Sequence, residues 1–132
     1  MFSMIYGIGI DKVEVARIEK SIKTPGFLEK CFSKEEITER KGKKAESFAA
    51  AFAAKEAFSK ALGTGIGGIG LKEVSLLHEK SGKPYLKITG DTLSKIEPLN
   101  LVVHVSVTHE AGIAQCVVIL ETGAPKNKKI FY

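Results

Sequence analysis

The chain has no tryptophan, three tyrosines, two cysteines, two arginines and four prolines in 132 residues. Each scarcity excludes something. Cys31 and Cys116 sit in unrelated apolar segments and make neither a metal-ligand spacing nor a disulfide frame. They read as reduced packing residues of a cytoplasmic protein. With Arg17 and Arg40 the only arginines, phosphate binding must lean on lysine and backbone N–H groups. The few aromatics, mostly phenylalanines at core spacing, leave no stacking platform for single-stranded nucleic acid. No apolar run approaches the roughly 18 residues that span a bilayer. The start, Met1 to Asp11, lacks a basic n-region, so no signal peptide and no membrane partner are expected.

What is present is the composition of a globular domain, 44% hydrophobic and 27% charged. A chain of this length buries about two thirds of its unfolded surface and sustains its own core. Net charge is +5, but Lys126, Lys128 and Lys129 supply three of those charges, so the body is weakly basic and nucleic acid is not the expected partner. Residues 1–121 read as one domain and residues 122–132 as a flexible basic tail. Arg40, Lys41, Lys43 and Lys44 form a second basic cluster, read first as a solvated loop. A basic module for nucleic acid or another anionic partner, built on that cluster and the tail, is the alternative to an enzyme.

Ile5–Ile10 reads as a buried strand, followed at once by Asp11 and by helical spacing from Val13 to Ile22. Pro25-Gly26 breaks that helix. Ser33 and Glu36 form a capping box for a helix ending by Gly42. Ala45–Leu62 is the strongest helix, alanine-rich and closed by Gly63. The second half is strand-like. Val74–His78 and Tyr85–Thr89 form one hairpin, Leu101–Thr108 and Ile113–Leu120 another, with a short helix over Asp91–Ile96 between them. The fold class is therefore α+β, a long central helix packed on a small, mostly antiparallel sheet.

Several side chains in this scheme carry chemistry. Glu56 and Lys60 lie one turn apart on a helix otherwise small and apolar. They are either a simple i,i+4 ion pair or a partly buried pair that needs a partner or a metal. Asp11 is either a helix N-cap or a magnesium ligand, since Mg²⁺ is commonly held by one or two carboxylates plus phosphates and waters. The run Gly63-Thr64-Gly65-Ile66-Gly67-Gly68 has helix-then-strand context, which is wrong for a dinucleotide fold and disfavours a nucleotide-binding regulator. Its bare backbone N–H groups can nevertheless approach a phosphate. From Val103 to His109 the chain alternates, with His104, Ser106 and Thr108 on one face and valines on the other.

Taken together, Gly7-Ile-Gly-Ile-Asp11 with Arg17-Ile18, Phe52-Ala-Ala-Lys-Glu-Ala57, Ser59-Lys-Ala-Leu-Gly-Thr-Gly65, Gly82-Lys-Pro84 and Val103–His109 resemble the holo-acyl-carrier-protein synthases, a group of 4′-phosphopantetheinyl transferases. The segments keep the family's order over residues 4 to about 120, and the run from Lys55 to Gly65 is the most specific of them. The resemblance implies transfer of phosphopantetheine from coenzyme A to a serine of apo acyl carrier protein, in fatty acid biosynthesis. It implies Mg²⁺ on Asp11 and Glu56, Lys60 as a catalytic cation, and Gly63, Thr64 and Gly65 along the phosphates. Lys83 and Pro84 would lie near adenine, His104 and Thr108 near the nucleotide, and Arg17 against the carrier protein. A homotrimer with active sites between subunits is implied as well. One departure stands out: family members often carry at Ala51 an arginine that helps bind the 3′-phosphate. Lys44, Arg40 or Lys55 would have to replace it.

Overall fold

The computed structural model describes residues 3–123. The elements run β1 (Ile5–Glu14), α1 (Val15–Ile22), α2 (Phe27–Cys31), α3 (Lys34–Glu39), α4 (Ala45–Leu62), β2 (Val74–His78), β3 (Pro84–Ile88), α5 (Gly90–Ile96), β4 (Val102–Glu110) and β5 (Ile113–Glu121), with short 3₁₀ turns in the connections. The strands form two antiparallel sheets, β1-β5-β4 and β2-β3, rather than one. The β4–β5 turn is Ala111-Gly112, both at positive φ (52° and 78°), as a two-residue hairpin with right-handed strand twist requires.

Helix α4 is the centre of the molecule. Eleven of its residues are buried, on all sides, as expected of a helix apolar all round. One side lies on the inner face of the three-stranded sheet, where Val13, Ala114, Cys116, Val118 and Leu120 are buried. Phe48 meets Phe32 edge-to-face at 5.3 Å and Phe32 meets Phe27 at 6.0 Å, filling the side toward α2. Gly63 ends the helix at φ 82°, its N–H bonded to the Ser59 and Lys60 carbonyls.

Strand β1 owes its position to two glycines. A Cβ on Gly7 would stand 1.9 Å from the Ala61 carbonyl oxygen, and one on Gly9 would stand 1.8 Å from that of Ala57. Glycine in the strand and alanine in the helix thus let two backbones touch. Position 11 follows 7 and 9 on the same face. The strand does not end at Ile10 as expected. It continues to Glu14, paired throughout with β5, and Asp11 stands opposite Cys116 inside the ladder. Asp11 is therefore not a helix cap, since the N-cap of α1 is Glu14. Helix α2 falls where only a break was expected.

Charged side chains tie the second sheet to the helices. The Ser33–Glu36 capping box is present as expected. Glu36 also accepts from Leu76 N–H (2.9 Å) and from Lys55 Nζ (2.6 Å), and both charged side chains are fully buried. Lys55 further donates to the Val74 carbonyl and lies over the Phe32 ring, 5.2 Å from its centroid.

Candidate active site

The β1–α4 contact places Asp11, Glu56 and Lys60 in one cluster. Lys60 Nζ donates to Asp11 Oδ1 and to the Ile10 carbonyl, both at 3.0 Å. Of the two readings of Glu56 and Lys60, a simple i,i+4 ion pair and a pair that needs another partner, the structure favours the second, since Lys60 pairs with Asp11 across the strand–helix interface. Lys60 is 54% exposed at its side chain and Asp11 only 10%. The second oxygen, Asp11 Oδ2, is buried without a hydrogen-bond partner. The Glu56 carboxyl is pushed up to about 7, first by burial and then by the adjacent Asp11 carboxylate; Arg17 and Lys60 pull it down. Two neighbouring carboxyl groups, one with a buried oxygen that has no partner, form a hard-oxygen pair suited to a divalent cation. Among the described residues no group of three or more His, Cys, Asp or Glu could hold a metal, so protein ligands alone make an incomplete shell.

The remaining expected residues divide among neighbouring surfaces. Gly63, Thr64 and Gly65 follow directly on the end of α4 and are exposed. Lys83, Pro84 and His104 line one small cavity of about 150 Å³ between β3 and β4. Lys44 lines a larger one, about 620 Å³, with Lys43, Glu46, Ser47, Ala50, His78 and His109 among its walls. Glu79 borders both cavities, so they adjoin at the β2–β3 turn. Arg17 is exposed beside Lys12 and Lys20 around a third depression. Thr108 is exposed on the outer face of β4, in register with Gln115 and Lys12.

Two candidates are corrected. Arg40 and Lys55 were expected as possible 3′-phosphate ligands in place of an arginine at 51. Arg40 is 1% exposed and Lys55 fully buried, each spent on carboxylates and backbone carbonyls. Burial pushes both pKa values down despite the Glu36 charge. The solvated cluster at 40–44 thus shrinks to Lys41, Lys43 and Lys44, which weakens the case for an anionic-partner module. The tail residues 124–132 lie outside the described residues. No helix among the described residues is long and apolar enough to cross a membrane.

The profile of the 4′-phosphopantetheinyl transferase superfamily matches residues 7–116, and the chain belongs to that superfamily. It is 45% identical to the holo-[acyl-carrier-protein] synthase of Treponema denticola, over 89% of this chain and 99% of that one. The crystal structure of the Bacillus anthracis holo-(acyl-carrier-protein) synthase in complex with CoA (3′,5′-ADP) superposes with a TM-score of 0.78 at 36% identity, covering 91% of this chain and 99% of that one. The Helicobacter pylori enzyme in complex with coenzyme A gives 0.75 at 35%, covering 86% and 98%. Within the superfamily, then, the chain is a phosphopantetheinyl transferase of the holo-[acyl-carrier-protein] synthase group.

Proposed function

We propose that this enzyme moves the 4′-phosphopantetheine arm of coenzyme A onto a serine of apo acyl carrier protein, with Asp11, Glu56 and Lys60 as its reacting end. The serine Oγ forms a bond to the phosphorus next to pantetheine. The bond from that phosphorus to the bridging oxygen breaks, and 3′,5′-ADP leaves with the electron pair. The observation that carries this reading is the orphaned, buried Asp11 oxygen beside a carboxyl poised near neutrality. Asp11 and Glu56 would hold Mg²⁺, which when bound offsets the charge of the diphosphate. Glu56, acting through one water, would help deprotonate the serine hydroxyl. Lys60, exposed and already oriented by Asp11, stabilises negative charge on the departing phosphate.

The rest of coenzyme A follows from the adjoining cavities. Gly63, Thr64 and Gly65 present backbone to the diphosphate. Lys83, Pro84 and His104 take the adenine end. Lys44, helped by Lys43, takes the 3′-phosphate at the start of α4, whose first turn has no side-chain cap; it lies about 27 Å along the helix from Gly63, so these two ends serve one coenzyme A only from two neighbouring copies of the chain. Thr108 and His104 share the outer sheet face with Ile8 and Ile10, which are 59% and 54% exposed on the edge strand. A second and third copy covering that face would make a homotrimer with these residues at the subunit boundary. Arg17, with Lys12 and Lys20, meets the acidic carrier. The domain spans residues 1–121 and works in the cytoplasm, in fatty acid biosynthesis.

The test is intact-mass spectrometry of apo acyl carrier protein incubated with the enzyme, coenzyme A and Mg²⁺. The carrier gains one phosphopantetheine, and chelator abolishes the gain. Asp11→Ala and Glu56→Ala abolish it with the fold retained. Full turnover in either folded variant removes the metal assignment.

A further inference from the structure

Arg40 is one of two arginines in the chain, yet it is not among the residues that line the 620 Å³ cavity. Its guanidinium points instead into the seam behind the 620 Å³ cavity, where two walls of that cavity meet. Nε donates to the Ser47 carbonyl at 3.1 Å, in the first turn of α4. Nη2 donates to the Leu76 carbonyl at 2.8 Å, in β2. Nη1 donates to the Glu36 carbonyl and to Glu39 Oε2, both at 3.3 Å. Glu39 extends the tie. Its Oε1 accepts from His78 N–H at 2.8 Å, and His78 Nδ1 lies 3.1 Å from Oε2. The Arg40 carbonyl in turn accepts from Lys43 N–H at 3.0 Å, closing the turn that carries Lys43 and Lys44.

We propose that Arg40 is a positioning residue for the nucleotide end of coenzyme A: its fork fixes the β2 wall against the α4 wall and holds the Lys43–Lys44 turn where it meets the 3′-phosphate. This rests on the reading of that cavity given above. Arg40 adds no free positive charge to the cavity, because Glu36 and Glu39 face it and its N–H groups are committed to acceptors. The contribution is geometric. A planar guanidinium reaches carbonyls on two elements in divergent directions, and a lysine ammonium, a single point, cannot hold both.

The test compares coenzyme A with 3′-dephospho-coenzyme A as donors, by initial rates with apo acyl carrier protein. The variants are Arg40→Lys, the double variant Lys43→Ser/Lys44→Ser, and the triple combination. Arg40→Lys raises KM for coenzyme A about tenfold, leaves kcat within about twofold and leaves KM for the dephospho donor unchanged. In the Lys43→Ser/Lys44→Ser background Arg40→Lys adds nothing more, because it acts through those lysines. An equal rise for both donors, a loss confined to kcat, or full additivity overturns the proposal and makes Arg40 a stabilising residue only. A double variant that binds both donors as the wild type does shows that the cavity reading itself is wrong, and the role of Arg40 falls with it. Should Arg40→Lys not fold, Glu39→Ala loosens the same guanidinium from a partly exposed position. It must then show the same donor-specific split, about threefold, or the proposal fails.

Discussion

Replacing Gly9 by alanine puts a methyl group in place of one hydrogen, at the point where strand and helix backbones touch. The methyl would stand 1.8 Å from the Ala57 oxygen and 2.8 Å from the Ala61 nitrogen, on top of one hydrogen bond of α4. Neither neighbour is a flexible tip. The strand cannot retreat freely either, since Gly9 is paired with Val118 in the middle of the β1–β5 ladder. Overpacking against backbone costs about 1–3 kcal/mol. Loosening the helix hydrogen bond adds roughly 1 kcal/mol. Alanine recovers about 0.4–1 kcal/mol by restricting the unfolded chain. The balance is a loss of about 2–3 kcal/mol, which in a domain of this size lowers the melting temperature by roughly 8–12 °C.

Activity should fall further than stability. Any shift of β1 from α4 carries Asp11 away from Glu56 and Lys60, and a displacement of about 1 Å in a reacting group costs on the order of 10²-fold. The assay is thermal unfolding alongside the carrier mass-gain assay, with Gly67→Ala as control, whose added methyl meets nothing within 4 Å. A Gly9→Ala enzyme that melts with the wild type and keeps its turnover would falsify the claim that glycine sets the strand–helix distance and, through it, the site.

Three further outcomes follow from the same geometry. Glu56, raised from 4.5 to about 7, keeps in the folded state a proton that the unfolded chain has released, so metal-free stability falls as pH rises across that window and levels off above it. After allowance for the partial exposure of this group the fall is about 1–2 kcal/mol. Calorimetry at pH 5 and pH 8 should show the slope in the wild type and not in Glu56→Gln, with stabilisation by Mg²⁺ larger at pH 8; an equal slope in both proteins refutes the assignment. Lys55→Met strands the buried Glu36 carboxylate and should cost about 3–5 kcal/mol by urea titration. Adding Glu36→Gln should restore part of it, and a neutral single variant would show that the pair carries no charge. On the proposed homotrimer, the wild type should scatter light as a trimer and Ile8→Glu with Ile10→Glu, on the exposed outer face of β1, as a monomer; a monomeric wild type refutes the assembly, and an unchanged trimer sends the subunit contact elsewhere.

Local signals in the sequence were read well, and long-range charge placement was not. The capping box at Ser33 and Glu36, the alanine helix closed by Gly63 and the two hairpins rest on spacings of a few residues, and each stands where expected. Asp11, Glu56 and Lys60 were picked out because the charges are isolated on apolar segments, and packing brings them together. The extension of β1 to Glu14 escaped notice because Val13-Glu-Val-Ala-Arg also fits a helix, and pairing with β5 decides the matter. Arg40 and Lys55 looked like surface charges. Their burial depends on Leu76, Val74 and Glu36, the nearest of them four residues from Arg40 and the farthest 36. No local period encodes such partners.

Helix α4 shows why three neighbouring charges have three different fates. Successive residues on an α-helix are about 100° apart, and residues four apart differ by about 40°. Lys55 therefore points away from β1, into the seam with α3 and β2, where Glu36 and the Val74 carbonyl meet it and no water does. Glu56 turns toward β1 and stops half-buried beside Asp11. Lys60, one turn on, lies close to the same line but reaches past the strand to solvent. The first is fully buried against Glu36, the second is raised to about 7 beside Asp11, and the third is half-exposed on Asp11. Three environments are thus sorted by helix rotation against a strand that glycine has brought within backbone contact. Anything that turns or lifts that helix perturbs all three at once.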